Sequence, residues 1–426
     1  MMIKFQETIQ SLLPEFSADL LEKNRKEFLA RDFTIIVLDD DPTGTQTIFN
    51  VPVLTTWGER EIYTELKVAV PLFFILTNSR SLLRKEADNL AEEIGMNIRN
   101  ASEKSGRKTI VISRGDSTLR GHYPNEVNAL GKGLGIQNAP QILIPAFFEG
   151  GRHTINDIHY VRDGDHLIPA GETPFAKDST FGYKSSNLRE YVVEKSKGKI
   201  KIQNVVSIGL NDIRRGGPEK VSQILNTLEH GQVCIVNAAS QSDLDVFTAG
   251  FYSFRKVEKP VLFRTAASIV PSLAGVGIKP PLQKSDFQLE GKGGVIAVGS
   301  YVLMTTRQLD FLKKNFPVEY VEIEAKKLLH RNEFLAETNR ISEKINHNLS
   351  KNLVIVVYTS REIITGKTPV ESLEIVNRIS QGMVEVMKGI KIRPRFIIAK
   401  GGITSSDIVT KSLKGKKAKV LDGERN

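Results

Sequence analysis

The feature that most constrains the fold is an alternation of short apolar runs with longer amphipathic stretches. The runs are rich in β-branched and aromatic residues, and helical segments such as Arg84–Asn100 and Glu219–His230 separate several of them. This pattern is typical of α/β proteins with mostly parallel strands. The strands predicted for the first part of the chain are Thr34–Leu38, Val51–Thr55, Leu72–Thr77, Thr109–Ser113, Gln141–Pro145, Val205–Leu210 and Val233–Ala238.

A second α/β unit follows a segment without clear periodicity, Gly277–Gly294, which is rich in Pro, Gly, Lys and Ser and is the best linker candidate. At 426 residues the chain exceeds the size at which single cores usually split. We therefore predict two domains, 1–280 and 291–426, each a mostly parallel sheet flanked by helices. The strands predicted for the second are Val295–Val298, Tyr320–Ile323, Leu353–Tyr358 and Arg395–Ala399.

Composition indicates the cellular compartment and the kind of binding partner. The single cysteine, Cys234, lies in an apolar run, so a disulfide framework is absent and a reducing cytoplasm fits best. Apolar stretches stay shorter than a membrane span requires, and the N-terminus lacks the apolar core of a signal peptide. The net charge of +10 favours anionic partners, but no aromatic residues accompany the basic C-terminal lysines, so we expect neither nucleic-acid nor membrane binding.

The run Asp39-Asp40-Asp41-Pro42-Thr43-Gly44-Thr45 directly follows a predicted buried strand. Ligands of open α/β sheets collect outside the carboxyl ends of the strands. Three adjacent carboxylates repel one another, so a cation, basic side chains or raised pKa values must relieve the repulsion. The run is either a substrate site or a solvated turn, and its extra hydroxyl and amide groups favour the site.

A second polar cluster, Ser113 to His122, also follows an apolar strand. Its members Arg114, Asp116, Ser117, Thr118 and Arg120 suit forked recognition of a carboxylate or phosphate. The alternative is that the aspartate and the arginines form ion pairs within a loop.

A third strand end, Pro145 to Thr154, places Arg152 and His153 at the same rim. His153 could contact substrate or simply pack. The seven histidines lack metal-ligand spacing, so we predict no protein-built metal site.

Two glycine-containing strand ends in the second unit suggest a nucleotide cradle. Gly299-Ser300 follows one strand, and Gly401-Gly402-Ile403-Thr404-Ser405 follows another. Backbone N–H groups and hydroxyls in such turns can hold phosphates. A Walker A pattern is absent, and each element could be only a tight turn between strand and helix.

Taken together, Asp40-Asp41-Pro42-Thr43-Gly44, Asp116-Ser117-Thr118-Leu119-Arg120-Gly121, Gly299-Ser300 and Gly401 to Ser405 resemble the four-carbon acid sugar kinase family. The resemblance covers nearly the whole chain. It implies a substrate-binding N-terminal domain and a nucleotide-binding C-terminal domain, with ATP and Mg²⁺ used to phosphorylate a hydroxyl of an erythronate-, threonate- or oxo-tetronate-like acid. Family members continue to a further glycine-containing loop, typically Pro-Gly-Asn, so this chain resembles a divergent, C-terminally shortened branch.

The resemblance and the motifs together predict a set of site residues. Asp40 and Asp41 are the predicted catalytic residues, either of which could orient or deprotonate the acceptor hydroxyl. The predicted substrate-binding residues are Thr43, Gly44, Arg114, Asp116, Ser117, Thr118, Arg120 and His153. The predicted ATP-binding residues are Ser300, Gly401, Gly402, Ile403 and Thr404. The expected partners are the acid sugar and ATP, with a homodimer as an open option.

Two other functions compete with this prediction. Asp39-x-Asp41-x-Thr43 also fits a haloacid-dehalogenase-like phosphatase, in which Asp39 would be the nucleophile and Asp41 the acid/base. The lysine and late acidic pair that such an enzyme needs have no convincing candidates. A kinase-derived fold that only binds a metabolite or a protein is the third possibility.

Overall fold

The structure is a computed structural model that describes residues 2–41, 47–255, 259–277, 282–287, 290–362 and 364–421. The chain divides into two compact units. The first comprises Met1–Pro281 together with Lys417–Asn426, and the second comprises Leu282–Lys416. The division at Pro281 lies inside the segment Gly277–Gly294. The assignment of the segment that begins at Lys417 to the first unit was not foreseen from the sequence.

The described residues form seventeen strands in three sheets. In chain order they are β1 (Ile3–Lys4), β2 (Phe33–Asp39), β3 (Val51–Leu54), β4 (Leu72–Leu76), β5 (Lys108–Arg114), β6 (Gln141–Ile144), β7 (Arg152–Ile155), β8 (Ile158–Asp163), β9 (His166–Pro169), β10 (Val205–Ile208), β11 (Val233–Val236), β12 (Leu262–Thr265), β13 (Gly294–Val298), β14 (Glu319–Ile323), β15 (Val354–Thr359), β16 (Ile397–Lys400) and β17 (Lys417–Val420).

The described residues also form fifteen α-helices. They are α1 (Phe5–Ser11), α2 (Leu21–Leu29), α3 (Glu59–Lys67), α4 (Arg84–Ser105), α5 (Asn125–Leu134), α6 (Leu188–Lys195), α7 (Leu210–Arg214), α8 (Gly217–Thr227), α9 (Gln241–Arg255), α10 (Ile269–Ala274), α11 (Leu303–Asn315), α12 (Ala325–Leu329), α13 (Arg331–Ser350), α14 (Pro369–Lys388) and α15 (Gly402–Asp407).

The first unit is built on a nine-stranded sheet with the order β10-β11-β6-β12-β5-β2-β4-β3-β17. All neighbours are parallel except β17, which runs antiparallel to β3. Strand β2 is buried along its whole length, which explains its continuous apolar sequence. The register pairs Asp39 with Arg114 and Arg114 with Thr265, so the carboxyl ends of β2, β5 and β12 lie side by side.

A second sheet in the first unit, of order β1-β9-β8-β7, is antiparallel. It carries Arg152 and His153 on β7. The described residues of the second unit form one sheet, of order β14-β15-β13-β16, in which all neighbouring strands are parallel. Its buried core lies between this sheet and helices that include α13 and α14.

Helix ends follow local chemistry. At the start of α4, the Glu86 side chain accepts a hydrogen bond at 3.0 Å from the backbone N–H of Leu83, the residue before the helix. Gly106 directly follows the last residue of α4, and its φ of 69° suits glycine. Helix α14 begins with Pro369, and the Thr368 hydroxyl accepts from the Glu371 backbone N–H at 3.1 Å. Both sequences therefore encode where their helices start.

The predicted α/β class and the two-domain architecture with largely parallel sheets are confirmed. Every predicted strand is present, with ends that differ by a residue or two. Strands β1, β7, β8, β9, β12 and β17 were not predicted, because each contains a lysine, arginine or histidine that interrupts its apolar pattern. Among the described residues, no helix is long and apolar enough to cross a membrane.

Helices α4 and α5 approach closely through glycines. A Cβ at Gly95 would lie 2.7 Å from the carbonyl oxygen of Leu130, and one at Gly133 would lie 2.8 Å from the backbone nitrogen of Met96. Backbone atoms of a packed helix cannot move away individually, so both positions require glycine.

We expect Gly133→Ala to lower the free energy of unfolding by about 2 kcal/mol, because the overlap with α4 outweighs the better helix propensity of alanine. Urea unfolding measures this. Lys85→Ala, at an exposed position of the same helix pair, is the control and should stay within about 0.5 kcal/mol of the parent. A Gly133→Ala protein as stable as the parent would contradict the close approach.

Candidate functional site

A cavity of about 330 Å³ opens at the carboxyl ends of the central strands of the first unit. Its lining is mainly charged and polar. The lining residues are Asp39, Asp40, Asp41, Arg80, Arg114, Gly115, Asp116, Ser117, Arg120, Phe147, Glu149, Gly150, Arg152, Ala266 and Ala267.

One buried ion pair of the cavity joins Asp39 at the end of β2 to Arg114 at the end of β5. The two residues are neighbours in the sheet register, and the Arg114 guanidinium donates to the Asp39 carboxylate. Both are buried. Burial raises the pKa of Asp39, although the nearby guanidinium groups, Arg114 foremost, act in the opposite direction.

Arg80 connects three carboxylates. It lies in the short turn Ser79–Ser81 that follows β4. Its guanidinium pairs with Asp41, approaches Asp116 at 3.3 Å and lies 3.8 Å from Asp40. The repulsion expected among the consecutive aspartates is therefore relieved largely by arginine.

Arg264, on β12, reaches one of these carboxylates, Asp40, from beneath the cavity and also reaches Glu126. It is buried, with Nη2 at 3.6 Å from Asp40 Oδ2 and Nη1 at 3.3 Å from Glu126 Oε2. Nη1 also donates to Ser113 Oγ at 3.1 Å. A Cβ at Gly115 would overlap the guanidinium group, so the glycine is needed to make room for this arginine.

Asp40 is the most perturbed carboxyl in the cavity. Burial raises its pKa to about 7, while the charges on Arg80 and Arg264 act to lower it and those on Glu126 and Asp39 to raise it. Its Oδ2 atom has no hydrogen-bond partner among the described residues. A buried carboxyl with a pKa near neutrality can exchange a proton during a reaction.

Asp116 and Arg120 form a second ion pair, at 2.8 Å between Arg120 Nε and Asp116 Oδ2. The Thr118 hydroxyl also donates to Asp116. Burial alone would raise the pKa of Asp116, but the hydrogen bond from Arg120 and the charge on Arg80 lower it overall. The guanidinium of Arg120 lies 5.1 Å from the ring centroid of Phe175 and remains partly exposed.

The structure brings together the two predicted catalytic residues and most of the predicted substrate-binding residues. Asp40, Asp41, Arg114, Asp116, Ser117 and Arg120 line one cavity, and Thr118 is buried beside Asp116. Thr43 and Gly44 lie outside the described residues.

His153 is not placed at the cavity. Its ring packs between Phe5 and Phe148, at centroid distances of 5.3 and 5.4 Å, and its Nδ1 lies 3.0 Å from the carbonyl oxygen of Ala239. Burial lowers its pKa. The surroundings of His153 are therefore those of a packed side chain. Its neighbour Arg152 lines the cavity instead.

Three charged residues of the site were missed from the sequence: Arg80, Glu126 and Arg264. Arg264 is a single charge inside the apolar run Val261 to Thr265, and a buried charge in such a strand is rarely without a partner. Arg80 follows the polar residues at the end of a predicted strand, as the recognised motifs do. Both signals were present, but neither forms a cluster in the sequence.

A second cavity, of about 350 Å³, lies in the second unit. One part of its wall is apolar and another carries hydroxyl groups. The lining residues are Gly299, Ser300, Tyr301, Val302, Ala325, Thr359, Ser360, Glu362, Ile364, Thr365, Val376, Ile379, Ser380, Met383, Gly401 and Thr404. Of the predicted ATP-binding residues, Ser300, Gly401 and Thr404 are among them, and Gly402 and Ile403 begin α15.

Two glycines shape the hydroxyl-bearing end of this second cavity. The ends of β13 and β16 meet there, with the Gly299 backbone N–H donating to the Lys400 carbonyl at 3.2 Å. Gly401 has a φ of 117°, and a Cβ on it would lie 2.9 Å from the Ser300 Cβ. A Cβ at Gly299 would overlap the Thr404 hydroxyl. Side chains at either position would fill the space between the two strand ends.

Two family models match the chain in succession. A model described as a sugar-binding N-terminal domain matches residues 35–273, and one described as a nucleotide-binding C-terminal domain matches residues 295–423. The first spans both strand-end motifs of the charged cavity, and the second spans the glycine-containing cavity.

Solved structures share the fold. A protein of Salmonella typhimurium LT2 with the provisional name tRNA synthase has a TM-score of 0.64 and 16% sequence identity, over 90% of this chain and 89% of its own. A Haemophilus influenzae protein of the DUF1537 family has a TM-score of 0.62 and 17% identity, over the same shares of the two chains. No curated protein sequence matches the chain.

Because Arg80 balances several carboxylates, its removal should destabilise the protein in a pH-dependent way. At pH 8 we expect Arg80→Met to lower the free energy of unfolding by about 3 kcal/mol, the cost of leaving buried charges unpaired. At pH 5 the loss should be smaller, because Asp40, with a pKa of about 7, is then already protonated.

Urea unfolding at the two pH values measures the difference. Arg84→Met is the matched control, since Arg84 forms an exposed ion pair with Asp88 at 3.7 Å and should matter by no more than about 0.5 kcal/mol at either pH. Equal losses at pH 5 and pH 8 for Arg80→Met would contradict the proposed charge balance.

Proposed function

Since this chain belongs to the four-carbon acid sugar kinase family, we propose that it transfers the γ-phosphoryl group of ATP to a hydroxyl of a four-carbon sugar acid. The observation that carries the proposal is the charged cavity of the first unit, where Asp40 lies among arginines at adjacent strand ends. Phosphoryl transfer requires an aligned acceptor hydroxyl and neutralised charge more than covalent chemistry from the protein. We place the reaction in the cytoplasm, and a homodimer remains a prediction.

The acid's carboxylate would be bound at the outer part of the charged cavity. Arg114 is committed to Asp39 and is buried, whereas Arg120 is partly exposed. Arg120 and Arg152 also lie over the same ring, 5.1 and 5.8 Å from the centroid of Phe175. Two guanidinium groups at one aromatic ring suit a planar carboxylate, so we assign Arg120 and Arg152 to this contact.

Asp40 is the better candidate for the residue that accepts the proton of the acceptor hydroxyl. Its pKa of about 7 leaves a substantial charged fraction at neutral pH together with appreciable basicity. Asp41 is more exposed and pairs with Arg80, which suits it to orient a hydroxyl of the substrate. The sequence alone left these two roles open.

ATP would occupy the cavity of the second unit. The apolar side chains Val302, Val376, Ile379 and Met383 suit the adenine ring, and the turns at Ser300 and Gly401 suit the phosphates. Mg²⁺ bound to those phosphates supplies neutralisation of their charge. The donor set here, hydroxyls with Glu362 as the acidic lining residue, fits an ion that arrives with ATP and keeps most of its water ligands.

The phosphatase alternative is less consistent with the surroundings of Asp39. A nucleophilic carboxylate needs an oxygen free to attack phosphorus, but both oxygens of Asp39 accept hydrogen bonds. Oδ2 accepts from the Arg114 guanidinium, and Oδ1 accepts from the Asp41 backbone N–H at 3.1 Å. Detection of an aspartyl-phosphate on Asp39 after incubation with a phosphate ester would favour the phosphatase instead.

We expect the chain to release ADP from ATP in the presence of erythronate, threonate or an oxo-tetronate, and Asp40→Asn to slow this at least about a hundredfold. The folded-state pKa of Asp40 lies above its unfolded value of 3.8, so the charged carboxylate costs stability increasingly as pH rises from 3.8 and fully above about 7. Asp40→Asn should therefore be at least as stable as the parent at pH 8.

A coupled ADP assay and urea unfolding, carried out on the same samples, measure both effects. Asp163→Asn, at an exposed acid of the first unit, is the control and should keep full activity. ADP release by none of the acids in the parent protein, or undiminished release in Asp40→Asn, would contradict the proposal.

Gly401→Ala should weaken ATP binding by about tenfold or more, because alanine is strained at a φ of 117° and its Cβ crowds Ser300. Calorimetric titration with ATP and Mg²⁺ measures the affinity. Gly291→Ala is a matched control, since Gly291 has a φ of 114° in the same unit but does not line the cavity. Failure of the parent to bind ATP would instead favour a non-catalytic derivative of the fold.

A further inference from the structure

Arg264 occupies a position that the phosphoryl-transfer mechanism above does not use. It does not line the charged cavity. It is buried, at 5% exposure, and lies beneath Asp40. Its guanidinium spans two carboxylates, Asp40 on one side and Glu126 on the other. Glu126 is itself buried and accepts a hydrogen bond from the Ser79 hydroxyl.

The backbone around Arg264 is shaped for this group. Gly115 and Gly121 both lack the Cβ that would collide with it, and a Cβ at Gly121 would lie 2.9 Å from Arg264 Nη2 and 3.2 Å from Asp40 Oδ2. Gly121 also has a φ of 124°, which other residues rarely adopt. Two glycines from the loop after β5 thus make room for a contact between β12 and the end of β2.

We propose that Arg264 and Glu126 are positioning residues that act on Asp40 from behind the cavity through their opposite charges and so set the pH at which it can accept a proton. This inference rests on the proposed function, in which Asp40 takes the proton of the acceptor hydroxyl. Neither residue needs to touch substrate.

The two residues act on Asp40 with opposite signs. The positive charge of Arg264 favours the carboxylate form, and the negative charge of Glu126 opposes it. Other charged groups from each neighbouring element also face Asp40, and they stay in place in both variants described below. They are Asp39 and Asp41 beside it in the chain, Arg80 after β4, and Arg114 and Asp116 from the end of β5 and the loop that follows.

The test compares the pH dependence of kcat/KM for variants of the full chain. The acidic limb reports deprotonation of the base, so activity falls as pH drops through that pKa. Arg264→Gln removes a favourable charge and should move the acidic limb up by about one pH unit. Glu126→Gln removes an unfavourable one and should move it down by about as much. Arg264→Lys keeps the charge and should leave the limb within about half a unit of the parent.

Arg214→Gln is the matched control for loss of a buried arginine. Arg214 pairs with Asp243 at 2.7 Å, away from the cavity, and both residues are buried. This variant should lose stability without moving the limb. Limbs that do not move, or that move in the same direction in Arg264→Gln and Glu126→Gln, would overturn the proposal. If Arg264→Gln does not fold, Glu126→Gln alone decides, because its expected shift is downward.

A second measurement separates this inference from the proposed function. Carbon-13 NMR of aspartate carboxyl groups, with the Asp40 signal assigned by its loss in Asp40→Asn, follows the titration of Asp40 without any turnover. A parent protein that phosphorylates no acid would overturn the proposed function. Even then, the positioning role would be supported if the pH midpoint of the Asp40 titration moved in opposite directions in Arg264→Gln and Glu126→Gln. A parent that turns over substrate, with the same Asp40 midpoint in both variants as in the parent, would overturn the positioning role alone.

Discussion

The first unit depends on charge compensation at the carboxyl ends of its central strands. Asp39, Asp40 and Asp41 follow one another at the end of β2, where their mutual repulsion and the burial of Asp39 and Asp40 both oppose the folded state. Arginines from three other elements, Arg80, Arg114 and Arg264, meet them there. Because each arginine comes from a different strand or turn, the charges balance only when β4, β5, β12 and β2 are in their correct order.

This arrangement explains why a site with such high charge can be part of a core. Paired charges in a low-dielectric surrounding remain costly compared with apolar packing, so they are better understood as functional than as stabilising. The compensation is also incomplete, since Asp40 retains a raised pKa and an oxygen without a hydrogen-bond partner among the described residues. A fully satisfied carboxylate would be a weaker proton acceptor.

Much of the fold could be predicted because its central strands are continuous apolar runs that end in turn residues. Strand β12 was missed because it has only four residues and one of them is the charged Arg264. The partners of Arg264 come from distant parts of the chain. The polar clusters after β2 and β5 were each recognised because the residues within a cluster are adjacent in sequence, and the family resemblance placed both in one substrate site. Arg80 and Arg264 join that site only through the sheet order, and the packing of His153 against Phe5 likewise depends on β1 and α1 reaching the antiparallel sheet. Single sequences do not encode such distant pairings in a local pattern.

The antiparallel strand β17 makes the first unit discontinuous in sequence, since residues 282–416 separate it from the rest of that unit. During synthesis, the hydrogen-bonding edge of β3 stays without this partner until the whole second unit has left the ribosome. An open edge of this kind is a site for incorrect pairing with other chains. The lysines of β17, one of which pairs with Glu65 at 2.6 Å, then close the sheet with a charged outer strand. Translation rate and chaperone access should therefore influence the yield of folded protein through events at β3.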